Sequence, residues 1–165
     1  MLKPIAVATF VAGTLDILSA FVFAGLAGTT PLAVLVFVAS GPFGGAPTPS
    51  AGWAIVGLLV HYGIMACMVA AFMIAARRLP ALTHRPVATG LLYGLLLWGI
   101  MYWVVRPLRW PDMPTPHTLR GISEQLFSHC LLVGLPIALI ARRHVPQIFH
   151  VLPGHARGGS GVTRA

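Results

Sequence analysis

The chain has 165 residues, of which 57% are hydrophobic and only 8% charged, and its mean hydropathy is +0.85. An ordinary soluble domain carries about a quarter charged residues, so this composition excludes one and points to a multi-span membrane protein in a single compact bundle. The net charge of +8 is concentrated at the ends of apolar runs, a pattern of membrane topology rather than of nucleic-acid binding.

Four runs are long enough to cross a bilayer, which takes about 20 residues. The first is Pro4 to Leu26. Lys3 before it loosely resembles the start of a signal peptide, but Asp16 interrupts the apolar run, and an uncleaved span is expected. Gly28 to Pro31 ends this run. Leu32 to Ser40 is apolar but too short to span, so a re-entrant or interfacial segment is expected there, closed by a turn over Gly41 to Gly45. The second span is Gly52 to Ala76, the third Val87 to Arg106 and the fourth Gly121 to Ala141. Pro107, Pro111, Pro114 and Pro116 mark an irregular connection before the fourth span, and Pro136 inside it predicts a kink. The expected fold is all-α: an integral membrane four-helix bundle over residues 1–143. A basic, Gly-rich cytoplasmic tail, expected to be disordered, follows over 144–165.

Lysine and arginine bias sets the orientation. Lys3, Arg77, Arg78, Arg85, Arg142, Arg143, Arg157 and Arg164 fall on one side, against Arg106, Arg109 and Arg120 on the other. Both termini are therefore placed in the cytoplasm, with Trp53, Trp103 and Trp110 near the outer interface.

Three ionisable residues stand inside spans: Asp16, His61 and His129. Such groups are costly in lipid, face the bundle interior and often mark function. At 1.5 Å per residue each lies about 12–15 Å from the same side, near the middle of the hydrocarbon core. Around Asp16 the helical face is small and polar, with Ala12, Gly13, Ser19 and Ala20; around His61 it carries Gly57, Met65 and Met68. On the third span Trp98, with Gly94 and Tyr102, falls at a similar level. A shared polar centre follows as an expectation.

Several chemistries suit such a centre. An Asp–His hydrogen bond can tie spans together, a proton can pass between Asp and His, or His61 and His129 can act as axial ligands of one b-type haem. Met65 and Met68 beside Cys67 are a weaker hint of copper, and no metal-ligand spacing is present. Cys67 and Cys130 are expected as buried free thiols, and His84, His144, His150 and His155 as solvated side chains. Gly90 and Gly94 make a GxxxG pair for close packing, within the chain or between chains. Glu124 is expected to cap its helix or to pair with Arg106, Arg109 or Arg120.

No HExxH, GxSxG or Walker-type loop is present, and Ser40-Gly41 has no histidine placed to activate it. The leading expectation is a non-enzymatic multi-pass protein whose Asp/His centre packs the bundle and serves transport or sensing. The alternative is a haem or proton-relay subunit. The bilayer is the expected surrounding, with a second copy or another membrane subunit as candidate partners and no nucleic acid.

The segments Gly13-Thr14-Leu15-Asp16, Ala39-Ser40-Gly41, Gly57 to His61, Arg77-Arg78-Leu79-Pro80, Gly90 to Gly94, Val104 to Leu108, Ser128-His129 and Gly134 to Leu139 form a set. It resembles a group of uncharacterised bacterial inner-membrane proteins with four spans, and more distantly the YagU family. The resemblance covers roughly residues 8–143. It implies a bacterial inner-membrane location and carries over no reaction, ligand or catalytic residue.

Overall fold

In lipid, backbone N–H and C=O groups find partners only within the protein, so apolar segments of this length become helices. A computed structural model describes residues 2–43, 45, 48–113 and 118–144, and among these every regular element is helical. They are α1 (Leu2–Leu26), α2 (Pro31–Phe43), α3 (Ala51–Arg78), α4 (Ala81–His84), α5 (Pro86–Arg109) and α6 (Leu119–His144). Helices α1, α3, α5 and α6 are long and apolar enough to cross a membrane. The expected tail falls beyond this description from residue 145 onward, while His144 is the last residue of α6 rather than part of the tail.

The sequence supplies local signals at most helix ends. After α1, Gly28 takes φ +80°. The Gly28 N–H bonds Gly25 O at 3.0 Å and the Thr29 N–H bonds Ala24 O at 2.8 Å, the glycine-stopped Schellman arrangement. Thr30, followed by Pro31, caps α2 through its hydroxyl, which accepts from the Ala33 N–H. Ser50 caps α3 and Thr118 caps α6 in the same way. Arg77 and Arg78 complement the carbonyl end of α3.

Small residues let the spans approach closely. A Cβ on Gly94 would lie 2.2 Å from His129 O, and one on Gly134 would lie 2.1 Å from Gly90 O. The Gly90–Gly94 pair therefore packs on α6 within the chain. Gly57 plays the same part for α2, since a Cβ there would meet Leu35 O at 1.8 Å. The helices run antiparallel: Gly90 meets Gly134 while Gly94 meets Cys130, and α1 meets α6 through Phe23–Phe127 and Ser19–Ser128. One core runs through Ala8, Ala12, Val69, Phe72, Ile137 and Ala141. Large apolar side chains such as Phe10, Leu59 and Leu92 point outward, the inverse of a soluble protein and suited to acyl chains.

Three local expectations change, and one pair of alternatives is decided. The third span does not stop at Arg106: α5 continues through Pro107 to Arg109. Gly41 and Pro42 lie inside α2 rather than in a turn that closes it. Cys67 is exposed on the bundle surface and Cys130 only half-buried, so neither is a buried thiol. Glu124 pairs with Arg120, one turn away at 2.7 Å, while Thr118 does the capping.

Candidate functional site: a cavity between the spans

Two stretches of the spans are wound wider than an α-helix. They are Met101–Val105 in α5 and Phe127–Gly134 in α6. In the first the Arg106 N–H bonds Met101 O, and in the second the Leu135 N–H bonds Cys130 O, five residues back in both. A proline comes next each time, Pro107 and Pro136. A proline ring in an α-helix clashes with the carbonyl four residues back. The wider turn moves that carbonyl aside, so the helix continues past the proline. Such π-type turns occur often at functional sites.

Here they flank a cavity of about 560 Å³, within the size range of small-molecule sites. It is lined from all the long helices and from α2. Asp16 comes from α1, His61 from α3 and His129 from α6, and Tyr102, Arg106 and Arg109 come from α5. Tyr102 and His129 both sit in the wide turns. The wall between is apolar, with Val38, Ile64, Met65, Met68 and Val133 among its members.

Asp16 and His61 stand closest. His61 Nδ1 is 4.0 Å from Asp16 Oδ2, an ion-pair separation longer than a direct hydrogen bond. The His61 side chain is 9% exposed and that of Asp16 23%. His61 Nε2 lies 2.9 Å from Gly13 O. A carbonyl oxygen only accepts, so Nε2 carries the hydrogen and donates it. Gly13 also leaves room for Tyr62, whose hydroxyl shares a 2.7 Å hydrogen bond with Thr14. His129 is held differently. Its Nδ1 donates to Gln125 O at 3.0 Å, and its ring stands edge to face with Tyr102 at 6.1 Å. His129 thus shares the cavity with Asp16 and His61 while bonding to neither.

This geometry does not suit a bis-histidine haem. Nε2 of His61 is committed to α1, and its Nδ1 lies beside a carboxyl group. Among the described residues no three His, Cys, Asp or Glu side chains converge enough to hold a metal ion.

The other end of the cavity was not visible as a site in the sequence. Arg109 donates to Ser40 O and Gly41 O at the carbonyl end of α2, where a cation is favoured. Trp110 stacks on Phe37 at 4.7 Å, and its Nε1 donates to Ser40 Oγ at 3.2 Å. The Arg106 guanidinium stands 5.6 Å over the Tyr102 ring. The available signal is Tyr102, Arg106 and Arg109 at i, i+4 and i+7, one face of a helix that continues through Pro107.

No family model matches the chain, and none of the curated proteins or solved structures compared with it matches.

Proposed function

We propose that this is a non-enzymatic multi-pass protein of the bacterial cytoplasmic membrane whose cavity binds a small molecule beside a proton held by Asp16 and His61. The polar centre both packs α1 against α3 and serves transport or sensing. The observation that carries this reading is the pair itself, set in a cavity wall with His61 Nε2 already donating to Gly13 O. If neither Asp16 nor Nδ1 of His61 bore a proton, a buried carboxylate would face a lone pair. One proton between them gives either a carboxylic acid beside imidazole or a carboxylate beside imidazolium. Both arrangements are neutral as a pair, which a low-dielectric span tolerates. The other titratable groups lining this part of the cavity are His129 and Tyr102, and Tyr62 flanks His61.

Nitrogen-15 histidine NMR of the protein in lipid nanodiscs tests the pair. At one fixed pH the His61 Nδ1 resonance is expected to move in Asp16→Asn while Nε2 stays protonated against Gly13 O. An unchanged Nδ1 resonance would reject the shared proton. The location is supported by Lys3, Arg77, Arg78, Arg85, Arg142 and Arg143 at one end of the bundle against Arg106, Arg109 and Arg120 at the other. Reporter fusions after Arg78 and after Arg143 are both expected to read out in the cytoplasm; an external readout from either overturns the orientation.

A further inference from the structure

Four polar side chains of the cavity wall have hydrogen-bonding capacity left over. His129 Nδ1 donates to Gln125 O, so in the neutral ring Nε2 is an acceptor. Among the described residues nothing bonds to that Nε2, to the Tyr102 hydroxyl, to the Asp16 carboxyl group or to His61 Nδ1, which stays 4.0 Å from Asp16 Oδ2. None of these atoms is sealed within protein, and all four side chains line the cavity. Unsatisfied polar groups are costly in a span unless something else completes them.

The charges of the wall do not select an ion. Arg106 stands over the Tyr102 ring, and Asp16 is within electrostatic reach of the same tyrosine and of His129 and His61. Such a mixed field favours neither a cation nor an anion. What the wall has in excess is acceptors. His129 Nε2 only accepts, and one proton between Asp16 and His61 serves two carboxyl oxygens and one ring nitrogen. The complementary ligand is neutral and brings hydrogen-bond donors on two sides, one toward α6 and one toward α1 and α3.

The rest of the wall describes the body that carries those donors. Met65, Met68 and Met101 line it beside the Tyr102 ring, and Trp110, stacked on Phe37, adds a second aromatic surface. Thioether sulfur makes favourable contacts with the edges of aromatic rings, so this wall suits a flat ring. Phe37 and Ile64 line the cavity and also stand exposed on the bundle surface. That places the chamber in reach of the lipid phase, where an alkyl substituent of the ring can lie among acyl chains.

We infer that the cavity takes a lipid-soluble hydroquinone. One hydroxyl donates to His129 Nε2, the other faces the Asp16–His61 pair, and the alkyl tail leaves past Ile64. This deepens the proposed function and rests on its reading of the cavity as a ligand site. A ligand of the same shape without O–H groups leaves His129 Nε2 unpaired, and sites built around a hydroxyl reject such analogues. The site therefore prefers the hydroquinone to its quinone and to its dimethyl ether.

The full chain in zwitterionic nanodiscs, titrated with radiolabelled decylhydroquinone under dithionite, tests this. Binding is expected to saturate. The dimethyl ether and an aliphatic diol of equal length should compete at least about tenfold more weakly, the scale of one buried acceptor left unpaired. Decylquinone, titrated without reductant, should be weaker by a similar factor. His129→Ala should raise half-saturation for the hydroquinone about tenfold and leave the weak binding of the ether unchanged, a split that general loss of fold does not produce. Nitrogen-15 NMR of the native chain decides even if that variant fails to fold: His129 Nε2 is expected to be unprotonated, and to shift with the hydroquinone and not with the ether. Non-saturable binding, equal competition by the ether or the aliphatic diol, equal binding of the quinone, an unaffected His129→Ala, or a protonated Nε2 would each overturn the inference. The His61 resonances are read without ligand. A His61 Nδ1 resonance that moves in Asp16→Asn, without hydroquinone binding, rejects this ligand class alone. Hydroxyl-selective binding with an unmoved Nδ1 resonance rejects the shared proton alone.

Discussion

The two ends of this bundle are built on different packing rules. At the end carrying Arg78 and His144, the spans meet through Ala8, Ala12, Ala76, Ala138 and Ala141, all fully buried, with Val69, Phe72 and Ile137 filling between them. At the end carrying Arg109 and Leu119, neither Met101–Val105, Arg106–Arg109 nor Leu119–Leu126 contains a buried residue. That end holds Met101–Val105, the start of Phe127–Gly134, the cavity and the short helix α2, while Gly134 belongs to the packed end. Helices in lipid gain no hydrophobic advantage from touching one another, so close packing of small residues must supply the attraction. Beside the wide turns the spans leave a cavity, even though α5 and α6 stay in close contact at Gly90, Gly94 and Gly134. One end is therefore a frame and the other a site.

Substitutions in the frame should have the largest effects on global stability. Phe72 is 3% exposed and packs on Tyr93 with ring centroids 4.8 Å apart. Phe72→Ala is expected to cost about 3–5 kcal/mol, the usual range for such a cavity. Unfolding by denaturing detergent from mixed micelles measures it. Gly134→Ala follows, at about 3 kcal/mol, because its Cβ meets the backbone of α5 rather than a side chain that can rotate. A loss below about 1 kcal/mol for either would mean that the frame is looser than its burial implies.

Arg109→Gln sharpens the contrast. It removes the cation from the carbonyl end of α2, an interaction worth up to about 2 kcal/mol in partly buried geometry. The expected result is faster amide exchange in α2 with the global transition nearly unmoved. If Arg109→Gln lowers the global transition as far as Phe72→Ala, the frame and the site are one cooperative unit and the division fails.

The frame was more legible in the sequence than the site, for a physical reason. Length and hydropathy set the four spans to within a few residues at most ends, since each needs only enough apolar residues to cross lipid. The Gly90-Gly94 pair announced close approach, and Asp16, His61 and His129 stood out because charge is rare in such segments. The misreadings gather around proline. Pro107 reads as a helix stop only if an α-helix is the sole continuation, and a wider turn is another. Ending the third span at Arg106 turned Arg106 and Arg109 into surface charges and hid their shared face with Tyr102. The environment of Ser40 and Gly41 was hidden with them, because the guanidinium that holds their carbonyls comes from a helix 60 or more positions later.

The smallest expected effect tests the boundary between the two ends. Ser19 Oγ and Ser128 Oγ lie 2.8 Å apart and join α1 to α6 one turn from Asp16. Each hydroxyl also has an acceptor on its own helix, Asp16 O for Ser19 and Glu124 O for Ser128. With one hydrogen apiece, one serine donates across the joint and the other donates to its own backbone. Ser128→Ala therefore leaves Ser19 with a partner and no orphaned donor. The expected cost is about 0.6 kcal/mol, the average for hydrogen bonds between spans. A double-mutant cycle with Ser19→Ala should return a coupling of the same size. A coupling above about 2 kcal/mol would exceed what such bonds supply. It would assign this joint to the frame, and the floor of the cavity would then be fixed by α1 and α6 rather than free to respond to a ligand.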